Sequence, residues 1–135
     1  MPEQLYPWMH LMGRILFSMV FIGSGMSHFM NMGGMTEYAR AKGVPAAKLA
    51  VAVTGLMALA GGITVLLGWH RFIGAGLLVI FLVPTAFLMH PFWKETDAQA
   101  KQNEMAHFMK TLALAGAALF VAYHAGFYWP MSLGQ

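Results

Sequence analysis

The sequence predicts an all-α integral membrane protein, an antiparallel bundle of four transmembrane helices in one domain spanning residues 1–135. Three observations predict it. The chain is 59% hydrophobic and 10% charged, far below the roughly one-quarter charged residues of soluble domains. Its eight basic and five acidic residues leave charge-free stretches at 15–36, 49–70, 72–93 and 111–135. Each is close to the ~20 residues that cross a bilayer's hydrocarbon, and little chain is left over for a soluble part.

The N-terminus, Met-Pro-Glu-Gln-Leu-Tyr-Pro, has no basic residue before its apolar run and no small-residue cleavage site. The first span is therefore expected to be a retained helix rather than a signal peptide. It is expected over about 8–30, ending at the Asn31, Gly33, Gly34 cluster, where glycine takes helix-terminating conformations. Residues 35–45, with Glu37, Tyr38, Arg40 and Lys42, read as a short amphipathic segment in the headgroup region, broken by Gly43-Val44-Pro45.

The second span, about 46–68, starts after a proline and carries Gly55, Gly61 and Gly62, so it is expected to pack in the interior. Trp69-His70-Arg71 permits only a hairpin into the third span, about 72–90, which Pro84 is expected to kink and Pro91 to close. After the polar stretch 94–104, the fourth span is expected over about 104–129, ending at Pro130. Four spans put both termini on one side. The opposite side holds Arg40, Lys42, Lys48, Lys94, Lys101 and Lys110, so the positive-inside rule places loops 32–48 and 91–104 in the cytoplasm of a bacterial-type inner membrane, with both termini outside. Trp8, Trp69 and Trp129 fall at the terminal side and Trp93 at the loop side, as interfacial belts.

The sequence contains no cysteine, which excludes structural disulfides, thiol exchange and thiolate-held metal clusters. The net charge of +3 is too scattered to track nucleic acid, so the expected surroundings are the lipid bilayer and other membrane subunits or copies of the chain. Within the first span, Arg14, Ser18, Gly25 and His28 share roughly one face, and an ionisable residue inside a span is a functional candidate. Snorkelling of Arg14 to the interface is the structural alternative.

The six histidines divide into His10, His70 and His124 near the terminal side and His28, His90 and His107 near the loop side. Histidines at matched depth suit haem or a transition metal, and hydrogen bonding at the interface accounts for them equally. Met26, Met30, Met32 and Met35 surround His28, Met89 precedes His90, and Met105 and Met109 flank His107, a thioether–imidazole set that would suit Cu(I). Of these, His28, Met30, His90 and His107 are the metal candidates, against the ordinary use of methionine as packing material. The richest polar constellation joins Glu104, His107, Lys110 and Thr111 to His28 and His90-Pro91-Phe92-Trp93, and could receive a quinone head group, an anion or a partner loop. An amphipathic helix start with Glu104 near its N-terminus is the alternative.

The chain resembles the DoxX family of small four-helix membrane proteins. The resemblance rests on Arg14, Gly23-Ser24-Gly25 and His28; on Gly43-Val44-Pro45; on residues 61–68, Gly-Gly-Ile-Thr-Val-Leu-Leu-Gly, with Arg71; and on His90-Pro91-Phe92-Trp93 before Glu104-Met105-Ala106-His107 and the helix that follows to Gly116. It departs where many relatives place an acidic residue at Ala58, a potential partner for Arg14, and an asparagine at Thr111. The resemblance implies membrane redox systems, such as the small subunit of an archaeal thiosulfate:quinone or terminal quinol oxidase, and oxidative-stress complexes in mycobacteria. The leading expectation is a non-catalytic accessory subunit or scaffold of such a complex. A quinone- or haem-binding component is the second reading, and a small transporter or copper-handling protein the third.

Overall fold

The computed structural model describes residues 2–134, so Met1 and Gln135, the two ends of the expected domain, lie outside the described residues. Five α-helices and one 3₁₀ turn make up the fold, with no strand among the described residues: α1 (Leu5–Met30), α2 (Met32–Ala41), α3 (Ala47–Leu67), α4 (Arg71–Met89), the 3₁₀ turn (Phe92–Lys94) and α5 (Ala98–His124). Helices α1, α3, α4 and α5 are long and apolar enough to cross a membrane.

The boundaries differ from expectation in three places. The segment expected to lie in the headgroups is helix α2, which packs on α3 by burying Thr36 and Ala39 beside Ala47 and Val51. Helix α5 starts six residues earlier than residue 104, because Asp97 accepts the Ala100 amide at 2.9 Å and caps good helix formers at 98–102. It also ends at His124, and residues 125–134 fold back across the end of the bundle. Helix α4 continues through Pro84, where Thr85 Oγ1 donates to Phe81 O at 2.6 Å.

Packing runs in the order α1, α3, α4, α5, with α3 against α1, α2 and α4 as its glycines predict. Those glycines set the distances between helices. A Cβ on Gly25 of α1 would stand 2.8 Å from Gly55 O of α3, and a Cβ on Gly55 would stand 2.7 Å from His28 Cβ. The two backbones therefore approach as only small residues permit. Phe21, Ala58, Val65, Leu78, Phe81, Leu82, Ala115 and Ala118 form the core between the spans. Outward faces carry large apolar residues such as Leu16, Met19, Leu56, Ile80 and Phe120, which suits a hydrocarbon surround. Packing between α1 and α5 is slight, and a cleft remains between them near the termini.

Candidate functional site

Polar chemistry gathers at both ends of the bundle. The buried stripe of α1 connects them, since Arg14, Ser18, Phe21, Gly25 and His28 are the residues this helix buries. At the terminal end, Arg14 is 4% exposed and does not snorkel. Its Nη2 donates to the carbonyls of Pro130 and Met131 at 3.0 and 2.9 Å. Arg71, which opens α4, is 8% exposed and donates from Nη1 to Phe127 O at 3.2 Å. Between them lies Trp129, with the Arg71 and Arg14 guanidinium carbons 4.9 and 5.9 Å from its ring and His10 edge-on at 4.8 Å. Its indole Nε1 donates to His124 O at 2.9 Å.

Trp129 is thus not a belt residue like Trp8, Trp69 and Trp93, which are about half exposed. It is the anvil on which two cations rest, an attraction strengthened by exclusion of water. Gly68 makes the arrangement possible. Its φ of +68° is ordinary for glycine, and a Cβ there would meet Ser132 and come within 2.9 Å of Arg14 Nη1.

At the loop end, Glu104 Oε2 accepts from His90 Nδ1 at 3.0 Å and lies 3.9 Å from Lys42 Nζ. Lys42 also sits over the Tyr38 ring at 5.5 Å, and His107 stacks on His90 with ring centres 5.2 Å apart. One carboxylate therefore joins α5, the end of α4 and the end of α2. Trp93 packs with Phe87, Phe92 and Phe108 in an aromatic cluster at the same end of the bundle.

Next to this network is a cavity of about 370 Å³ lined by His28, Met35, Tyr38, Thr54, Phe81, Thr85, Met89 and His90. His28 Nδ1 lies 2.7 Å from Ser24 O. A carbonyl only accepts, so Nδ1 carries a proton, and in the neutral ring Nε2 holds the lone pair. The same reasoning holds for neutral His90, whose Nδ1 faces the Glu104 carboxylate.

The sequence-derived candidates thus separate. His28, His90, Glu104 and His107 come together at the loop end, where Trp93 joins a separate aromatic cluster, while Arg14 belongs to the opposite end and Ser18 lies buried along the stripe. Lys110 and Met30 are exposed, Met30 at 81%. No group of three or more histidines and carboxylates among the described residues is placed to hold a metal ion. Arg71, Trp129, Lys42 and Tyr38 enter the sites although their sequence signal was read as topology, belt or headgroup chemistry. The clue to Trp129 was its position directly before Pro130, where a helix must stop and the chain can turn back.

A family profile described as DoxX matches residues 9–91, more than half of the chain, from the second turn of α1 to the end of α4. The chain belongs to the DoxX family. It is also similar to the inner membrane protein YphA of Escherichia coli (strain K12), 29% identical over 116 residues that cover 86% of this chain and 82% of that protein. No solved structure matches. The DoxX match contains Arg14, His28, Arg71 and His90, whereas Glu104, His107 and Trp129 lie beyond it. Ala58, the departure that removes a potential acidic partner for Arg14, is fully buried in apolar packing, and backbone carbonyls take the guanidinium.

Proposed function

We propose that this DoxX-family protein is an accessory subunit of an inner-membrane redox assembly and that it contributes a quinol-binding pocket with a proton acceptor. The observation that carries this reading is the cavity beside His28 and His90, two imidazoles whose Nδ1 atoms are engaged and whose Nε2 lone pairs remain. The donor set fits a hydroxylated aromatic head group. Its two hydroxyls need acceptors, and its apolar ring and tail need surfaces such as Phe81, Leu88 and Met89. Such a group, when bound, supplies a two-electron, two-proton carrier.

The chain's own residues orient it and take protons. His90 Nε2 accepts a proton while Glu104 stabilises the resulting imidazolium through Nδ1, the role a carboxylate plays behind a general base. Lys42 balances the charge of Glu104 when His90 is neutral. The electrons pass to a partner subunit, which is the sense in which the protein is accessory. The redox setting follows from the DoxX resemblance, and the inner membrane from the name of the Escherichia coli relative. Orientation follows from charge: all six exposed or half-exposed Lys and Arg residues lie toward the loop end, while Arg14 and Arg71 are buried. The loops therefore face the cytoplasm.

The test is solvent extraction of protein purified in mild detergent from its native membrane, with quinone counted per chain and co-purifying proteins identified. Wild type should carry quinone well above the level of an unrelated four-span protein. His28→Leu should lower it about tenfold, the equivalent of ~1.4 kcal/mol from one lost hydrogen bond. Equal quinone in the variant and wild type would sink the pocket, and recovery without any redox subunit would sink the accessory role.

A further inference from the structure

At the end of the bundle opposite the His28–His90 cavity, two arginines are buried with no carboxylate paired to them among the described residues. Four of the five acidic residues, Glu37, Glu95, Asp97 and Glu104, belong to the loop end, and Glu3 is exposed. Arg14 and Arg71 are held by backbone carbonyls and the Trp129 face, which carry no net charge to offset theirs. Taking a charge out of water without a counter-charge is costly. The cost is compounded because the Nε and Nη1 groups of Arg14 have no hydrogen-bond acceptor among the described residues, and neither does His10 Nδ1.

Arg14 and His10, whose unpaired nitrogens are enclosed, border the cleft between α1 and α5, whose volume is about 340 Å³. Arg14 and His10 line its polar side, and Phe17, Val65, Phe120 and Tyr128 its apolar side. We propose that this cleft binds an oxyanion carried on an apolar body, with Arg14 as its principal ligand, Arg71 adding field from behind Trp129 and His10 completing the polar wall. An anionic head there supplies the missing counter-charge, and a guanidinium suits phosphate or carboxylate oxygens better than a point charge would. The slight packing of α1 on α5 leaves the cleft open for a tail in the bilayer. An anionic membrane lipid meets both demands, and a free anion meets the first alone.

The test uses full-length protein, delipidated in a neutral maltoside detergent and titrated separately with phosphatidylglycerol, phosphatidylcholine and inorganic phosphate, read by native mass spectrometry and thermal stability. Phosphatidylglycerol should bind and raise the melting temperature while phosphatidylcholine does neither. Stabilisation by inorganic phosphate to the same extent would assign the site to a free anion of the same chemistry. Arg14→Gln should weaken phosphatidylglycerol binding at least about tenfold. Because that variant risks misfolding, Gly13→Leu provides a second arm. Gly13 lines the cleft, and a Cβ there meets nothing within 4 Å, so leucine fills the site without disturbing the packing. It should keep the melting temperature of lipid-free protein and lose the response to phosphatidylglycerol. No response to either anion in wild type, or an undiminished response in Gly13→Leu, would overturn the proposal.

Discussion

The two ends of the bundle hold charge by different means. At the loop end, cation, carboxylate and imidazole meet in Lys42, Glu104 and His90, each about one-fifth exposed at its side chain. Partial exposure and the opposite charges of Lys42 and Glu104 make that network cheap to assemble and easy to rearrange. At the terminal end, Arg14 and Arg71 are almost wholly buried against an indole and three carbonyls. There the guanidiniums are structural, because they tie residues 127–131 onto α1 and α4. A soft end suits proton exchange, and a hard end suits a fixed field. Joining them, the buried stripe of α1 crosses α3 at Gly25 and Gly55.

Breaking that crossing should have the largest effect and should damage both ends together. In Gly55→Leu the new side chain would start 2.7 Å from His28 Cβ and within 3.0 Å of the Phe29 ring. Helix α1 would have to move off α3, at or above the upper part of the ~1–3 kcal/mol typical of overpacking. A melting temperature in detergent lower by about 10 °C is expected from circular dichroism. A shift of less than about 2 °C would mean that the close approach does not hold the helices.

The terminal end separates next. Arg14→Leu strips the donor from Pro130 O and Met131 O at once, whereas Arg71→Leu strips it from Phe127 O alone. Each buried acceptor left unpaired costs ~1–3 kcal/mol, so Arg14→Leu should destabilise by the larger amount. Both should make the chain after His124 accessible to added protease while the four spans stay helical. If Arg14→Leu were as stable and as protease-resistant as wild type, the strap over the bundle end would not depend on the guanidinium.

How much of this was legible in the sequence follows from the length scale of each feature. The four spans are written in runs of uncharged residues, so their number, order and antiparallel arrangement follow from composition and bilayer thickness. The buried stripe of α1 is periodic and could be read from Arg14, Ser18, Gly25 and His28 alone. The burial of Thr36 and Ala39 in α2 was not legible, because it depends on the packing of α2 against the next helix. Trp129 was taken for a belt residue because Pro130 signals that the chain can turn, but not that it folds back over Arg14 and Arg71. The partners Lys42 and Glu104 are 62 residues apart, and no pattern within one helix pairs them.

The smallest expected effect tests whether the loop end is as soft as its exposure implies. Glu104→Gln keeps an oxygen that can accept from His90 Nδ1 but removes the charge facing Lys42 at 3.9 Å. A partly exposed pair at that distance contributes less than about 1 kcal/mol, and salt screens it. The variant should therefore melt only a few degrees below wild type at low ionic strength, with the gap closing as salt is raised. A gap that stayed open in high salt would mean that Glu104 holds the loop end through the geometry of its hydrogen bond to His90 rather than through its charge, and that end would then be as rigid as the one that holds the arginines.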